Sequence, residues 1–296
     1  MTRLSGYTTK AGTTAKIAFD YKENPLRNFN YDFWNDLGCD TQIGVGNFYE
    51  TIIEFVYRKV LQQGDVAIDG GANRGRHTIP MARVVKQSGL VIGFEAIPGL
   101  ANSLAQKIGT QGLKNIQIIN KAIGSKEGQS NFTFVAKNDA YSGLRMREGI
   151  PEDDQSSVEN ITVATTTLDL EITRKQLSRV RFIKLDLEGG EYDALLGSRE
   201  ILDKMSPFII FENGREMSAR VYGYDKDAWF VLFERSGYKL FDLFGRPFAP
   251  QDWDNAGVPW YFVAVKRSID KEFVHCQLPA MVETIANFYA LQMSLK

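Results

Sequence analysis

Residues 66–82 constrain this chain more than any other stretch. A short apolar run, Val66-Ala67-Ile68, ends on the carboxylate Asp69. A tight turn follows, Gly70-Gly71-Ala72-Asn73-Arg74-Gly75, and a helical pattern from His77 to Lys86 sets Ile79, Ala82 and Val85 on one side. Glycine in such a turn lets the backbone approach a ligand where a side chain would collide. The first turn of the next helix offers unpaired N–H groups, which suit a carboxylate or phosphate oxygen.

The same alternation continues. Apolar runs at 90–95 and 116–119 flank a helical segment at 100–108, so strands and helices follow one another as in a parallel sheet covered by helices. Further strands are expected at 131–136, 161–167, 181–187, 207–212, 238–244 and 260–265, and further helices at 48–61, 192–203 and 227–236. The acidic stretch 147–160 reads as a solvent-exposed loop. Met281, Ile285, Phe288 and Leu291 recur at helical intervals within 279–295. No linker separates two cores. The expected organisation is an N-terminal extension at 1–47, one nucleoside-binding domain at 48–268 and a helical extension at 269–296.

Composition narrows the partners. Lys and Arg total 35 against 36 Asp and Glu, a net charge of −1, which lacks the basic footprint of a nucleic-acid binder. No run is long and apolar enough for a membrane span or a signal peptide, so a cytoplasmic protein without nucleic acid as partner is expected. Cys39 and Cys276 form no paired motif, and two free thiols are expected. His275 beside Cys276 lacks the further ligands of a metal site. The terminal extensions leave room for a homodimer.

Glu95 ends the second strand, 26 residues after Asp69. A carboxylate there can accept hydrogen bonds from ribose hydroxyls. The turn lacks the third glycine of the dinucleotide fingerprint, and Asp69 would repel a pyrophosphate. It would attract the ammonium of S-adenosylmethionine. The expected cofactor contacts are Asp69, Gly70, Gly71, Ala72, Asn73, Gly75, Glu95 and Ala96. A nicotinamide-dependent oxidoreductase and a non-catalytic nucleoside-binding relative are the rivals. No Tyr-x-x-x-Lys pair supports the former.

Four segments together resemble the FkbM family of methyltransferases: 66–75, Phe94-Glu95-Ala96-x-Pro98, Thr167-Leu168-Asp169, and Ile183-Lys184-Leu185-Asp186-Leu187-Glu188-Gly189-Gly190-Glu191. The family usually has Ala where Gly190 stands. The resemblance covers roughly residues 48–215. It implies an α/β, Rossmann-like class I methyltransferase fold, with a seven-stranded mostly parallel sheet and helices on both faces. It implies S-adenosyl-L-methionine as cofactor and O-methylation of a small-molecule or glycan hydroxyl. It also implies that Glu50 faces the cofactor and that Tyr141-Ser142-Gly143 lies near the site.

Within the 183–191 block, a strand would set Lys184, Asp186 and Glu188 on one face. These three are the candidate catalytic residues. A buried Lys184 needs a carboxylate partner. Asp186 lies where ligands of open α/β sheets bind, outside the strand C-termini, and is also a cofactor contact. Three roles compete for it. It takes the proton of the acceptor hydroxyl; it joins Glu212 and Asn213 around a Mg²⁺ ion; or it is structural, with Glu188 and Glu191 capping the next helix. His77 is expected as a packed, hydrogen-bonded residue close to the turn.

Overall fold

The computed structural model describes residues 7–8, 14–15, 41–146 and 151–294. Its centre is a seven-stranded sheet. The strands are β1 (Val66–Gly70), β2 (Leu90–Phe94), β3 (Ile116–Ile119), β7 (Phe182–Leu185), β8 (Phe208–Glu212), β9 (Lys239–Asp242) and β10 (Tyr261–Val265). They lie in the order β9-β10-β8-β7-β1-β2-β3. Only β10 runs antiparallel to its neighbours.

Strand residues alternate between two cores. Ala67, Phe208, Ile210, Val263 and Val265 face one side, and Ile68, Ile209, Phe211, Phe262 and Ala264 the other. Both faces are covered, which is why the strands read as continuous apolar runs. Helix α1 (Thr41–Val60) covers the first face with Phe48, Ile52, Ile53, Val56 and Tyr57. The last helix, α10 (Leu278–Ser294), adds Leu278, Val282, Ile285 and Ala286 to the same core. Thr51 Oγ1 and the Tyr289 hydroxyl join the two helices at 2.7 Å. Helix α1 runs across residue 47, where the extension was expected to end.

Helices α2 (Thr78–Val85) and α3 (Pro98–Thr110) link β1 to β2 and β2 to β3. Between β3 and β7 lies a second, three-stranded sheet of β4 (Ala122–Ile123), β5 (Gly128–Val135) and β6 (Val158–Thr166), in the order β4-β6-β5. Strands β5 and β6 form a long antiparallel pair from Gly128↔Thr165 to Val135↔Val158. The stretch expected as a loop at 147–160 therefore holds a helical turn at Glu152–Gln155 and the start of β6. Val158, Glu159 and Asn160 pair along their backbone, and only alternate positions further along β6 turn inward. Residues 147–150 lie outside the described residues.

Helix α4 (Leu168–Arg174) starts on Thr167, whose side chain accepts from Leu170 N. The single helix expected over 192–203 is two, α5 (Glu191–Leu196) and α6 (Arg199–Lys204). They part at Gly197, whose Cα packs against the Gly124 carbonyl so closely that no side chain fits. Helix α7 (Glu216–Tyr222) follows β8, and α8 (Lys226–Arg235) leads to β9. α9 (Ser268–Glu272) follows β10. Among the described residues no helix is long and apolar enough to cross a membrane.

Candidate functional site

Chain order reverses between β1 and β7. β1 leads to β2 on one side, while β7 leads to β8 on the other. Ligands of open α/β sheets bind at such a switch point, outside the strand C-termini. The C-termini here carry Gly70-Gly71 and Leu185-Asp186, and Asp186 N donates to Gly70 O at 3.1 Å. A cleft opens there, with Gly71, Glu95, Phe132 and Asp186 in its lining.

Gly71 shapes its floor. Its φ of +79° belongs to the left-handed region, and a Cβ would overlap the Asp186 carbonyl oxygen. Gly71 N and Ala72 N both donate to Phe94 O, at 3.0 and 2.8 Å, which docks the turn on β2. Glu95 holds the turn from the other side. Its Oε2 accepts from Asn73 N and its Oε1 from Ile97 N, both at 2.8 Å. Each oxygen keeps a second lone pair for a ligand hydroxyl. Burial pushes the Glu95 carboxyl above its usual range, and the two backbone N–H groups partly offset this. Ile97, Ala122 and Phe132 add apolar walls that suit a flat base. The second sheet supplies Phe132, and the segment after β5 supplies Asp139, Ser142 and Leu144.

Of the expected contacts, Gly71, Asn73, Glu95, Ala96, Asp186 and Glu188 line the cleft. Glu50, Asp69, Gly70, Ala72, Gly75 and Lys184 do not. Asp69 is the clearest revision. It is 1% exposed and turns inward, accepting from Thr78 Oγ1 at 2.5 Å and lying 3.9 Å from Lys184 Nζ. It supports the turn from beneath, because the strand pleat directs its side chain to the covered face with α2. It is therefore not placed for direct contact with a ligand ammonium.

Strand β7 ends at Leu185, so Lys184, Asp186 and Glu188 do not share a strand face. Glu188 has a left-handed φ of +54°, a conformation that clusters at functional loops. Lys184 is 3% exposed and donates to Asp186 Oδ2 at 3.0 Å. Burial opposes its charge, but Asp186, Asp69 and Glu50 outweigh burial and hold the ammonium above its usual range. Burial likewise pushes Asp186 up, but the Lys184 charge and hydrogen bonds from Glu212, Lys184 and Tyr261 hold it well below an ordinary carboxyl. Burial, together with Glu188, Asp186 and Glu191, raises the Glu212 carboxyl well above its usual range, and it hydrogen-bonds with Asp186. Burial also raises Glu191 to about 8; its Oε1 accepts from Leu187 N at 2.6 Å.

Glu50 reaches the site from α1. It pairs with His77 Nε2, with Arg76 Nε at 2.9 Å and with the Tyr261 hydroxyl at 3.3 Å. Burial raises its carboxyl, and His77 and Lys184 more than reverse this. His77, 3% exposed, is a packed residue at the start of α2. Ser142 lines the cleft while its Oγ accepts from Val135 N at 2.9 Å.

Oxygens of Asp186, Glu188 and Glu212 lie within 4.8 Å of one another. Asn213 does not join them. Its Oδ1 already accepts from Arg215 N at 2.7 Å and from the Tyr224 hydroxyl at 3.3 Å. The trio suits a dication poorly, because the Lys184 ammonium already sits 3.0 Å from Asp186. His275 and Cys276 are exposed, and Cys39 lies outside the described residues.

Three functional positions escape motif reasoning. Lys121 and Phe132 line the cleft from turns and strands of the second sheet. Tyr261 donates to Asp186 Oδ2 at 3.0 Å from β10. Its signal is a tyrosine in an otherwise wholly apolar strand, since a buried phenol needs a partner. Beside the cleft, Glu188, Glu212, Met217, Ser218 and Tyr222 line a second, smaller hollow.

The family profile described as the methyltransferase FkbM domain matches residues 69–240. No curated protein matches the chain. Among solved structures, the chain is similar to methyltransferase FkbM from Methylobacillus flagellatus (15% identity, TM-score 0.43). That match covers 71% of this chain and 50% of the other, so the chain spans about half the length of that relative. It is also similar to a SAM-dependent O-methyltransferase from Thermotoga maritima (14% identity, TM-score 0.38, covering 72% and 63%). A third similarity is to Aeropyrum pernix fibrillarin (12% identity, TM-score 0.37, covering 69% and 67%).

Proposed function

The chain belongs to the FkbM methyltransferase family, and on that premise we propose that it transfers a methyl group from S-adenosylmethionine to a hydroxyl of a sugar, glycan or secondary metabolite. The charge of the cleft carries the choice of donor. Among the described residues that line it, Glu95, Asp139, Asp186 and Glu188 are acidic and Lys121 alone is basic. Such a surface repels a dinucleotide pyrophosphate and attracts a molecule bearing sulfonium and ammonium charges.

Glu95 takes the ribose hydroxyls, and Ile97, Ala122 and Phe132 enclose the base. The Gly71 backbone lies against the methionine end, with Asp186 and Glu188 supplying negative charge there. Asp69 acts from beneath, through Lys184 and Thr78. When bound, the donor supplies an electrophilic methyl whose S–C bond breaks as the C–O bond forms, the electron pair leaving with sulfur.

The second hollow, lined by Glu188, Glu212 and Met217, presents the acceptor. Asp186 stays ionised because Lys184 neutralises it, and it accepts the hydrogen bond of the acceptor hydroxyl. Forming the C–O bond makes that oxygen strongly acidic, so a weakly basic carboxylate suffices to take the proton. Alignment is the larger contribution. No step is assigned to Mg²⁺.

Incubation with methyl-labelled donor and a panel of glycosides and phenols tests this function. Label should appear in an O-methyl ether, and Asp186→Ala should lower the rate at least ~100-fold. Tight donor binding with no transfer to any acceptor would favour a non-catalytic relative, and label on nitrogen or carbon would overturn the hydroxyl assignment.

A further inference from the structure

The profile of the family ends at residue 240, yet two groups outside the matched segment reach Asp186 and its surroundings. Tyr261 begins β10, directly opposite Glu212 in the antiparallel register. Its side chain is buried, and its hydroxyl lies 3.0 Å from Asp186 Oδ2 and 3.3 Å from Glu50 Oε1. Lys184 Nζ meets the same Asp186 oxygen at 3.0 Å. Two donors on Oδ2 occupy its lone pairs and fix the plane of the carboxylate. Oδ1 is then the oxygen left for Glu212 and for a ligand. Asp186 lines the cleft; Tyr261 does not.

We infer that Tyr261 is a positioning residue of the site: its phenol, giving its one proton to Asp186, sets the carboxylate that faces the donor. This rests on the donor assignment above. The arrangement links three distant parts of the chain: α1 at Glu50, Asp186 just after β7, and β10 at Tyr261. A hydrogen bond to a charged acceptor in a buried setting is among the stronger ones. The ring itself packs edge-on against Tyr49, with centroids 6.2 Å apart, and phenylalanine preserves that contact.

The test is a double-mutant cycle on S-adenosylmethionine affinity, measured by calorimetry for wild type, Tyr261→Phe, Asp186→Asn and the pair. Tyr261→Phe should weaken binding about ten-fold. In the Asp186→Asn background the same change should cost less than about two-fold, because the hydroxyl acts through the carboxylate. A purely packing role would give equal losses in both backgrounds, and that result would overturn the inference, as would no loss in either. Asp186→Ala replaces Asp186→Asn as the second variant if the latter fails to fold, with the same non-additivity expected. If wild type binds the donor and the cycle is additive, only the role of Tyr261 falls. If wild type does not bind it, the donor assignment falls and takes this role with it.

Discussion

Lys184→Met should lower the free energy of unfolding by about 3–5 kcal/mol, the usual result of removing one partner from a buried ion pair. Methionine matches the length of the side chain, so lost packing contributes little. What is lost is the only cation within ion-pairing reach of the Asp69 and Asp186 carboxylates among the described residues. With Lys184 gone, burial dominates at Asp186 and its carboxyl moves upward. A group whose folded-state pKa is raised keeps its proton in the folded state while the unfolded chain loses it. Its ionisation therefore costs stability as pH rises. The deficit should accordingly be largest near pH 8 and shrink toward about pH 5. Urea denaturation of both proteins across that range decides the matter. A loss below about 1 kcal/mol, or one independent of pH, would mean that Lys184 does not carry the charge balance of the site.

Gly71→Ala should abolish donor binding and cost about 3 kcal/mol of stability. Two effects add. Alanine resists a φ of +79°, and its methyl would overlap the Asp186 carbonyl oxygen, a backbone atom that cannot swing aside. Gly112 separates the two effects. It has a φ of +66°, and nothing lies within 4 Å of a built Cβ. Gly112→Ala therefore meets the backbone cost alone, roughly 1–2 kcal/mol. Gly71→Ala should be the worse of the two by more than about 1 kcal/mol, and it alone should lose the ligand. Equal losses would show that the contact between the β1 turn and Asp186 is slack.

Much of this fold is legible in the sequence because both sheet faces are buried. Ile68, Ile183, Ile209 and Phe262 and their strand neighbours then form short uninterrupted apolar runs, bounded by glycine, proline and charge. The glycine turn and Glu95 are legible for a related reason: each occupies a strand end where chain order and ligand position are linked. The second sheet was harder. Its strands β5 and β6 carry Asn131, Glu159 and Asn160, so periodicity alone gave 131–136 and 161–167 and missed their first residues. The break at Gly197 depends on Gly124, 73 residues earlier, and no local pattern contains it.

Within the site, residue identity was easier to read than orientation. Asp69 belongs to the right turn, but the pleat sends its side chain beneath the turn rather than into the cleft. Asn213 sits at the right strand end, yet Arg215 N and Tyr224 consume its carbonyl. Glu188 leaves the strand altogether, so the shared face with Lys184 and Asp186 dissolves. Tyr261 stands out in its apolar strand, but its partner is defined only where β10 lies beside β8. In each case the contacts formed on folding, near or far in sequence, decide where the side chain points.

Calorimetric titration of S-adenosylmethionine and of NAD into wild type and Glu95→Ala tests the central assignment most directly, with melting temperatures read beside it to confirm that both proteins are folded. Wild type should bind S-adenosylmethionine in the micromolar range and NAD not measurably. Glu95→Ala should weaken the former at least ~ten-fold, through loss of hydrogen bonds to a charged acceptor. Tighter binding of NAD than of S-adenosylmethionine, or unchanged S-adenosylmethionine affinity in Glu95→Ala, would contradict the assignment of this cleft to the methyl donor.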